Sequence, residues 1–213
     1  MQYLLDILPA LLTGVLTTLK LFGLTLVLSI PLGLLVSFPL QSKFKPLKWI
    51  FDLYVLLMRG TPLLLQLIFV FYGLPLLHVV FDRFPAALLA FTLNYAAYFA
   101  EIFRGGFNTI PKGQFEASRM LKLSKGQTLK KIILPQVTKN VVPPMGNEII
   151  NLIKDSSLVY VLGLSDLLKA GQIAMQRDVT LVPLLAVGVV YIVLILLITA
   201  LLKKIEAGFN YYQ

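Results

Sequence analysis

The sequence predicts an all-α integral membrane protein with five transmembrane helices and a cytoplasmic segment of two short helices. Hydrophobic residues make up 58% of the 213 residues and charged residues only 14%, whereas an average soluble domain has about 45–50% and about 25%. Several stretches of about 20 residues lack a charged side chain, which is the length that a helix needs to cross a bilayer. We therefore treat residues 1–213 as a single transmembrane domain.

Charge-free windows mark four of the spans, and an apolar stretch with internal ionisable residues marks the other. The fourth span contains Glu148, Lys154 and Asp155, and ionisable side chains at membrane depth are costly enough that they usually have a partner or a function. Before the first span, apolar residues recur at helical spacing, which fits either an interfacial helix or a simple extension of the span. The predicted spans are about 14–40, 50–80, 84–104, 140–165 and 179–204.

Positive charge orients the chain. Fourteen of the nineteen Lys and Arg residues lie in 41–59, in 104–139 and at the C-terminal end, all on one side of the predicted spans. The positive-inside rule places that side in the cytoplasm, so we expect the N-terminus outside and the C-terminus inside. The net charge of +9 then reflects topology, and nucleic-acid binding is not expected. Because the chain has no cysteine, thiolate metal sites and disulfides are excluded.

The cytoplasmic segment 105–139 is predicted to contain two short amphipathic helices. The first covers about 113–122, with Phe115 and Leu121 on one face. The second begins at Ser124, which opens a capping box, and ends at Pro135, where regular hydrogen bonding is expected to stop. On pattern alone, such helices either lie on the lipid surface or dock into the groove of a partner protein.

The order of residues in this segment resembles the cytoplasmic signature of the inner-membrane permease subunits of bacterial ABC importers. That signature is Glu-Ala-Ala, three residues, Gly, nine residues and Ile-x-Leu-Pro. Here Glu116-Ala117-Ser118 is followed in register by Lys122 and by Ile132-Ile133-Leu134-Pro135. Ser118 replaces an Ala, which is a small change, whereas Lys122 replaces a helix-breaking Gly and leaves the shape of the turn open.

Further motifs are similar to the polar amino acid branch of that family. They occur in the same order as in that branch, nearly from end to end of the chain. They are Arg59-Gly60-Thr61-Pro62-Leu63-Leu64-Leu65-Gln66-Leu67, Leu93-Asn94-Tyr95-Ala96-Ala97-Tyr98, Glu101-Ile102-Phe103-Arg104-Gly105-Gly106, Ile110-Pro111-Lys112-Gly113-Gln114 and Lys154-Asp155-Ser156-Ser157-Leu158.

The resemblance implies a subunit of a larger complex in the bacterial cytoplasmic membrane. It implies a second permease subunit, here expected as a homodimer, a dimer of ABC-type ATPase subunits, and an extracytoplasmic amino-acid-binding protein. ATP and Mg would be bound by the ATPase, since this chain has no G-x-x-x-x-G-K-[ST] loop. The chain itself is not expected to be an enzyme or to bind a cofactor or a metal. The residues implied in coupling to the ATPase are Phe115, Glu116, Ala117, Leu121, Leu123 and Pro135.

Polar side chains at membrane depth are the candidates for substrate binding. Glu148, Asn151 or Leu152, and Asp155 share one helical face. This face can line an aqueous cavity whose carboxylates attract an ammonium or guanidinium group, so we hypothesise a basic amino acid as substrate. The alternative is that these groups pair with neighbours and fix helix packing. Weaker candidates are Thr61, at a predicted helix break, Gln66, Asn94 and Tyr98, which can instead join helices, and Tyr72, which can simply pack.

Two other function classes fit parts of the pattern. An ion-coupled secondary transporter or channel would use Glu148 and Asp155 as proton or sodium sites and would need no ATPase. A membrane-embedded enzyme is excluded more firmly, because neither HExxH nor GxSxG is present.

Overall fold

The computed structural model describes residues 2–209, and within this range the chain is helical without strands. Short 3₁₀ or π segments join or extend several helices, at Pro39–Gln41, Phe69–Gly73, Leu74–Leu77, Leu129–Ile133 and Ser156–Leu162. The α-helices are α1 (Gln2–Ser37), α2 (Lys45–Gly60), α3 (Leu63–Ile68), α4 (Arg83–Asn108), α5 (Lys112–Met120), α6 (Lys125–Thr128), α7 (Leu134–Asp155), α8 (Leu167–Asp178) and α9 (Val182–Ala207).

Three helices are long and apolar enough to cross a bilayer, at Gln2–Gln41, Arg83–Asn108 and Val182–Ala207. Two further helix pairs meet the same criteria when the two helices of each pair are taken together, and each pair is bent at a break. Lys45–Gly60 meets Leu63–Leu77 at 105°, and Lys125–Leu162 meets Leu167–Asp178 at 54°. The described residues therefore provide three spans, or up to five if each bent pair counts as one.

Helix α1 includes both the first predicted span and the apolar residues before it. It runs without interruption from Gln2 to Ser37, so the apolar residues before the first predicted span extend that span and do not form a separate interfacial helix. Pro9 and Pro31 lie inside the helix without ending it.

Helix α4 forms the centre of the packed core, against which α1 lies closely. Small residues make this approach possible: a Cβ added at Gly33 of α1 would lie 2.7 Å from the Cβ of Phe99 and 2.9 Å from the carbonyl oxygen of Ala96. Small residues at helix interfaces allow backbones to approach in membrane proteins. This packing holds the polar face of α4 in a fixed position.

The break predicted at Arg59–Pro62 is confirmed. Helix α2 ends at Gly60, and Thr61 and Pro62 both have extended backbone angles before α3 begins. The cause is local, because Pro62 has no N–H and its ring disfavours α geometry at Thr61. The resulting 105° bend opens space beside α4.

The prediction that Pro135 ends the second cytoplasmic helix is wrong. Helix α6 continues through the π segment Leu129–Ile133 directly into α7, and Pro135 lies in the first turn of α7. The π segment accommodates this proline, because the Leu134 N–H bonds to the Leu129 carbonyl five residues earlier and the hydrogen-bond register is already shifted where Pro135 lacks its N–H. Of the two predicted cytoplasmic helices, only α5 is therefore separate, whereas α6 begins the long helix that continues into the predicted span 140–165.

Helix α8 is a feature that the sequence analysis missed, since 167–178 lies between two predicted spans and no helix is predicted there. Its buried face carries Leu167, Ala170 and Ala174, which pack with Ile7 and Leu11 of α1 in a second hydrophobic cluster. The helix starts at Asp166, whose carboxylate accepts the N–H groups of residues 168 and 169 as an N-cap.

Candidate functional site

A cavity of about 710 Å³ opens where the bend between α2 and α3 faces α4 and α7. Six of the eight residues predicted to bind substrate line this cavity, although they come from distant parts of the sequence. Polar and charged side chains from three helices thus converge within the candidate spans. The lining consists of Arg59, Gly60, Thr61, Pro62, Leu63, Leu64, Asn94, Tyr95, Tyr98, Glu148, Asn151, Asp155 and Leu158.

Helix α7 supplies the acidic side of the cavity. Glu148, Asn151 and Asp155 lie at helical spacing and all line it, whereas Leu152 is fully buried in the hydrophobic core. The alternative left open by the sequence is thereby resolved in favour of Asn151.

Glu148 is half-buried, and its carboxylate has neither a hydrogen bond nor an ion pair with any side chain in residues 2–209. Lys154, the nearest basic residue in sequence to Asp155, is exposed and forms no ion pair within the same range. Glu148 and Lys154 therefore give no support to the helix-packing alternative, whereas Asp155 does bond to a neighbouring helix, as that alternative expects. A carboxylate within a candidate span that has no side-chain partner is available to an incoming cation.

Asp155 has one partner, which the sequence analysis missed. The Tyr95 hydroxyl donates a hydrogen bond of 2.7 Å to Oδ2 of Asp155. Tyr95 is itself buried and stacks parallel to Phe91 one turn earlier on α4. The available signal was its position between Asn94 and Tyr98, the two α4 residues already considered as candidates. The hydrogen bond fixes the Asp155 carboxylate while leaving its other oxygen available.

Arg59 is a second missed lining residue, because its position in the sequence indicates a cytoplasmic charge and a helix break but not a binding role. Its guanidinium lies 5.0 Å from the ring centroid of Tyr98 and 3.8 Å from Oε2 of Glu101. Glu101 is held in turn by Arg104, whose Nε donates a hydrogen bond of 3.0 Å to Oε1. The cavity therefore contains a positive group on the α2 side and carboxylates on the α7 side.

Gln66 and Asn94 join the broken span to α4. The Gln66 amide donates to the Met58 carbonyl and to the Thr61 hydroxyl, each at 2.9 Å. The Asn94 amide donates to the same Met58 carbonyl at 2.8 Å and to Oε1 of Gln66 at 3.0 Å. These bonds satisfy backbone carbonyls freed by the break, which is the helix-joining role. Asn94 and Thr61 still line the cavity, whereas Gln66 does not.

Tyr72 is the remaining predicted substrate residue, and the structure does not bring it to the cavity. It lies in the π segment Phe69–Gly73, is more than half exposed, and packs edge-on against Phe71 at 4.8 Å.

The second candidate site is α5 and the turn that follows it. Apolar side chains are exposed at its tip, where Met120 is 85% and Leu121 71% accessible, and Phe115 is exposed at its side. Glu116 and Ala117 are also exposed, and Pro135 is half-buried at the start of α7. Between α5 and α6 lies a groove of about 420 Å³, lined by Phe115, Arg119, Leu123, Lys125, Thr128, Leu129 and Ile133.

The turn after α5 keeps its shape despite the lysine in place of glycine. Lys122 has a positive φ of 54°, a conformation that favours glycine. The Leu123 N–H donates to the Ser118 carbonyl at 3.0 Å and the Lys122 N–H to the Arg119 carbonyl at 2.9 Å, which is the Schellman pattern. The predicted capping box at Ser124 is confirmed, with reciprocal bonds to Gln127.

Comparison with known proteins agrees over nearly the whole chain. Residues 29–211 match the family described as binding-protein-dependent transport system inner membrane component. The arginine transport system permease protein ArtQ of Bacillus subtilis (strain 168) is 42% identical over 200 residues, which is 93% of this chain and 91% of that protein. The L-cystine transport system permease protein TcyB of the same organism is 36% identical over 206 residues, or 96% and 88% of the two chains.

A solved structure gives the same result for the fold. The crystal structure of an amino acid ABC transporter with histidines contains a chain that is 32% identical to this one. The two superpose with a TM-score of 0.89 over 96% of each chain.

Proposed function

This chain belongs to the family of binding-protein-dependent transport system inner membrane components, it is the permease subunit of an amino acid ABC importer, and we propose that its substrate is a cationic amino acid. Family members of this kind are transport components and are not catalytic by themselves. The same membership disfavours the ion-coupled transporter, since importers of this family are driven by ATP.

The observation that carries the substrate proposal is the unpartnered carboxylate of Glu148 in the cavity. An ionised side chain at membrane depth costs about 2.5–3.5 kcal/mol on insertion scales, so an uncompensated one is retained for a purpose. Together with Asp155, it provides two carboxylates on one face of the cavity. An ammonium or guanidinium group between them would form charge-assisted hydrogen bonds.

The positive side of the cavity suits the other end of the same substrate. Every amino acid carries an α-carboxylate, and the Arg59 guanidinium provides the opposite charge. Asn94, Asn151, Thr61 and Tyr98 add uncharged hydrogen-bonding groups between the two ends. One relative is named for arginine transport and another for L-cystine transport. The charge of the transported side chain is therefore the property that an experiment has to determine.

For the membrane arrangement we propose five spans, with each bent pair counted as one, in a bacterial cytoplasmic membrane. The N-terminus lies outside and the C-terminus inside, because this orientation puts α5 and most of the lysines in the cytoplasm. Helix α5 then projects towards the ATPase, where Phe115, Leu121 and Leu123 insert into a groove and Glu116 meets its rim.

The remaining partners follow from this arrangement. An ATPase dimer binds ATP and Mg, a second copy of this chain completes the pathway, and an extracytoplasmic binding protein delivers the amino acid. ATP-driven closing and opening of the ATPase dimer moves α5, and α5 moves the spans that surround the cavity.

The test is uptake of labelled arginine into proteoliposomes that contain the permease and its ATPase, with Glu148→Gln as the variant. Losing a hydrogen bond between charged groups costs about 1.5–3 kcal/mol, so we expect a roughly 10- to 100-fold loss of apparent arginine affinity. Glu206→Gln, which removes a carboxylate near the end of α9, is the matched control and should behave as wild type.

Competition with unlabelled lysine, histidine, glutamine and cystine identifies the side-chain charge that the cavity selects. Unchanged arginine uptake by Glu148→Gln, or stronger competition by glutamine than by lysine, would overturn the cationic substrate. Uptake that persists without ATP hydrolysis would overturn the importer mechanism itself.

A further inference from the structure

A second cavity lies on the other side of the broken span, between α2, α3 and α4. We call this cavity the crook. Its volume is about 520 Å³, and nine of its eleven lining residues are apolar, among them Leu57, Leu65, Phe69 and Leu93. The two polar residues, Thr61 and Gln66, already use their side chains in hydrogen bonds across the break. The crook therefore suits an apolar occupant, not an amino acid.

The crook continues into an apolar stripe along α2. Leu57, Leu53 and Ile50 follow one another at spacings of four and three residues, so they lie on one face of the helix. All three are exposed, as are Leu65 and Phe69 at the mouth of the crook. Nothing else in residues 2–209 covers this face of the protein.

The stripe ends at a group of basic and aromatic side chains. Lys43 and Lys45 are exposed and form no ion pair within the described part of the chain, whereas Lys48 is paired with Asp52. Phe44 and Trp49 are both about two-thirds exposed. Lysines beside exposed aromatic rings are typical of the boundary between hydrocarbon and headgroups.

The dimensions match one leaflet of a bilayer. From Lys45 to Leu57, twelve residues of α2 at about 1.5 Å each span about 18 Å along the helix axis. Half of a typical hydrocarbon core is about 15 Å thick. A single acyl chain that starts at the lysines therefore reaches the crook.

We propose that this surface is a binding site for an anionic phospholipid. The phosphate and headgroup lie at Lys43 and Lys45, and one acyl chain follows Ile50, Leu53 and Leu57 into the crook. The lipid then fills the crook beside the 105° bend between α2 and α3, and the same bend lines the neighbouring polar cavity. The proposal rests on the placement of the chain in a membrane and not on the identity of the transported amino acid.

Trp49 is the only tryptophan of the chain, so its fluorescence reports directly on this site. The full-length permease is reconstituted in phosphatidylcholine vesicles with increasing fractions of dibrominated phosphatidylglycerol, or of dibrominated phosphatidylcholine as reference. We expect the anionic lipid to quench Trp49 at a lower mole fraction. Each lysine near a membrane surface contributes about 1 kcal/mol, which corresponds to about fivefold in affinity.

The double variant Lys43→Gln/Lys45→Gln should remove the preference for the anionic lipid. Lys203→Gln/Lys204→Gln, at the end of α9, removes the same charge elsewhere and should keep it. Equal quenching by both lipids in wild type, or a preference that survives in Lys43→Gln/Lys45→Gln, overturns the headgroup site.

A second measurement tests the crook. The number of phosphatidylglycerol molecules retained on the purified protein is counted by native mass spectrometry for Leu65→Asn and for Leu196→Asn. Both positions are more than half exposed, but only Leu65 lines the crook. Fewer retained lipids in Leu65→Asn alone support the acyl-chain site, and equal retention in both variants overturns it.

Discussion

The polar cavity and the tip of α5 are exceptions of opposite kinds to the usual distribution of side chains in a membrane protein. In the cavity, Glu148 and Asp155 place acidic side chains within a candidate span, where apolar residues are the rule. At the tip of α5, Met120 and Leu121 expose apolar surface outside the spans, where polar residues are the rule. In the proposed function, a cationic substrate binds in the first region and the ATPase covers the second. In both regions, the groups that the site exposes indicate the chemistry of the proposed partner.

The two regions also differ in what holds them in place. The cavity depends on contacts between residues far apart in sequence, such as Tyr95 with Asp155. The tip depends on local hydrogen bonds, namely the Schellman turn after α5 and the capping box at Ser124. We therefore expect substitutions in the two regions to have separable effects on substrate affinity and on ATPase binding.

The largest expected effect is at the tip. Leu121→Asp places a charge where an apolar side chain should be buried against the ATPase, and central interface residues typically contribute at least about 2 kcal/mol. We expect a loss of roughly 30-fold or more in the affinity for the ATPase. Co-purification of the ATPase with tagged permease measures it.

The control for Leu121→Asp is Leu181→Asp, since Leu181 is 67% accessible and lies in the turn before α9, away from α5. It should retain the ATPase. Full co-purification with Leu121→Asp, or equal loss in both variants, would contradict a specific docking role for α5.

A smaller effect is expected in the cavity from Tyr95→Phe. This variant removes only the hydroxyl that positions Asp155, and a hydrogen bond to a charged group contributes about 1.5–3 kcal/mol, of which solvation in the cavity restores a part. We expect a roughly five- to tenfold rise in the KM for arginine uptake at unchanged ATPase binding.

Tyr54→Phe is the matched control for Tyr95→Phe, because the Tyr54 hydroxyl donates at 2.6 Å to the Leu93 carbonyl and does not reach the cavity. A similar KM change in both variants would indicate a general loss of packing and would contradict the separation of the two regions.

Features that depend on neighbouring residues can be predicted from the sequence, whereas features that depend on contacts between separate helices cannot. The break at Pro62 and the cap at Ser124 follow from the chemistry of neighbouring residues, and both predictions are confirmed. Tyr95 and Arg59 were missed because their roles arise from contacts between separate helices, which no spacing rule reveals. Pro135 was misjudged because a π segment before it lets the helix continue. Helix α8 was missed because its apolar face is short and most of its buried residues are small, namely Ala170, Gly171 and Ala174.

The smallest expected effect concerns Lys122. It tests whether a change in the local turn after α5 leaves the distant cavity unaffected. The left-handed conformation costs a residue with a Cβ about 1–2 kcal/mol, of which the greater freedom of glycine in the unfolded chain offsets a part. Lys122→Gly should therefore slow hydrogen exchange of the Leu123 amide, which donates to Ser118 in the turn, by about threefold. Lys122→Val, with a β-branched side chain, should accelerate it. Because the turn is local, neither variant should change the KM for arginine uptake, and a change in KM would show that the turn and the cavity are coupled in the resting state.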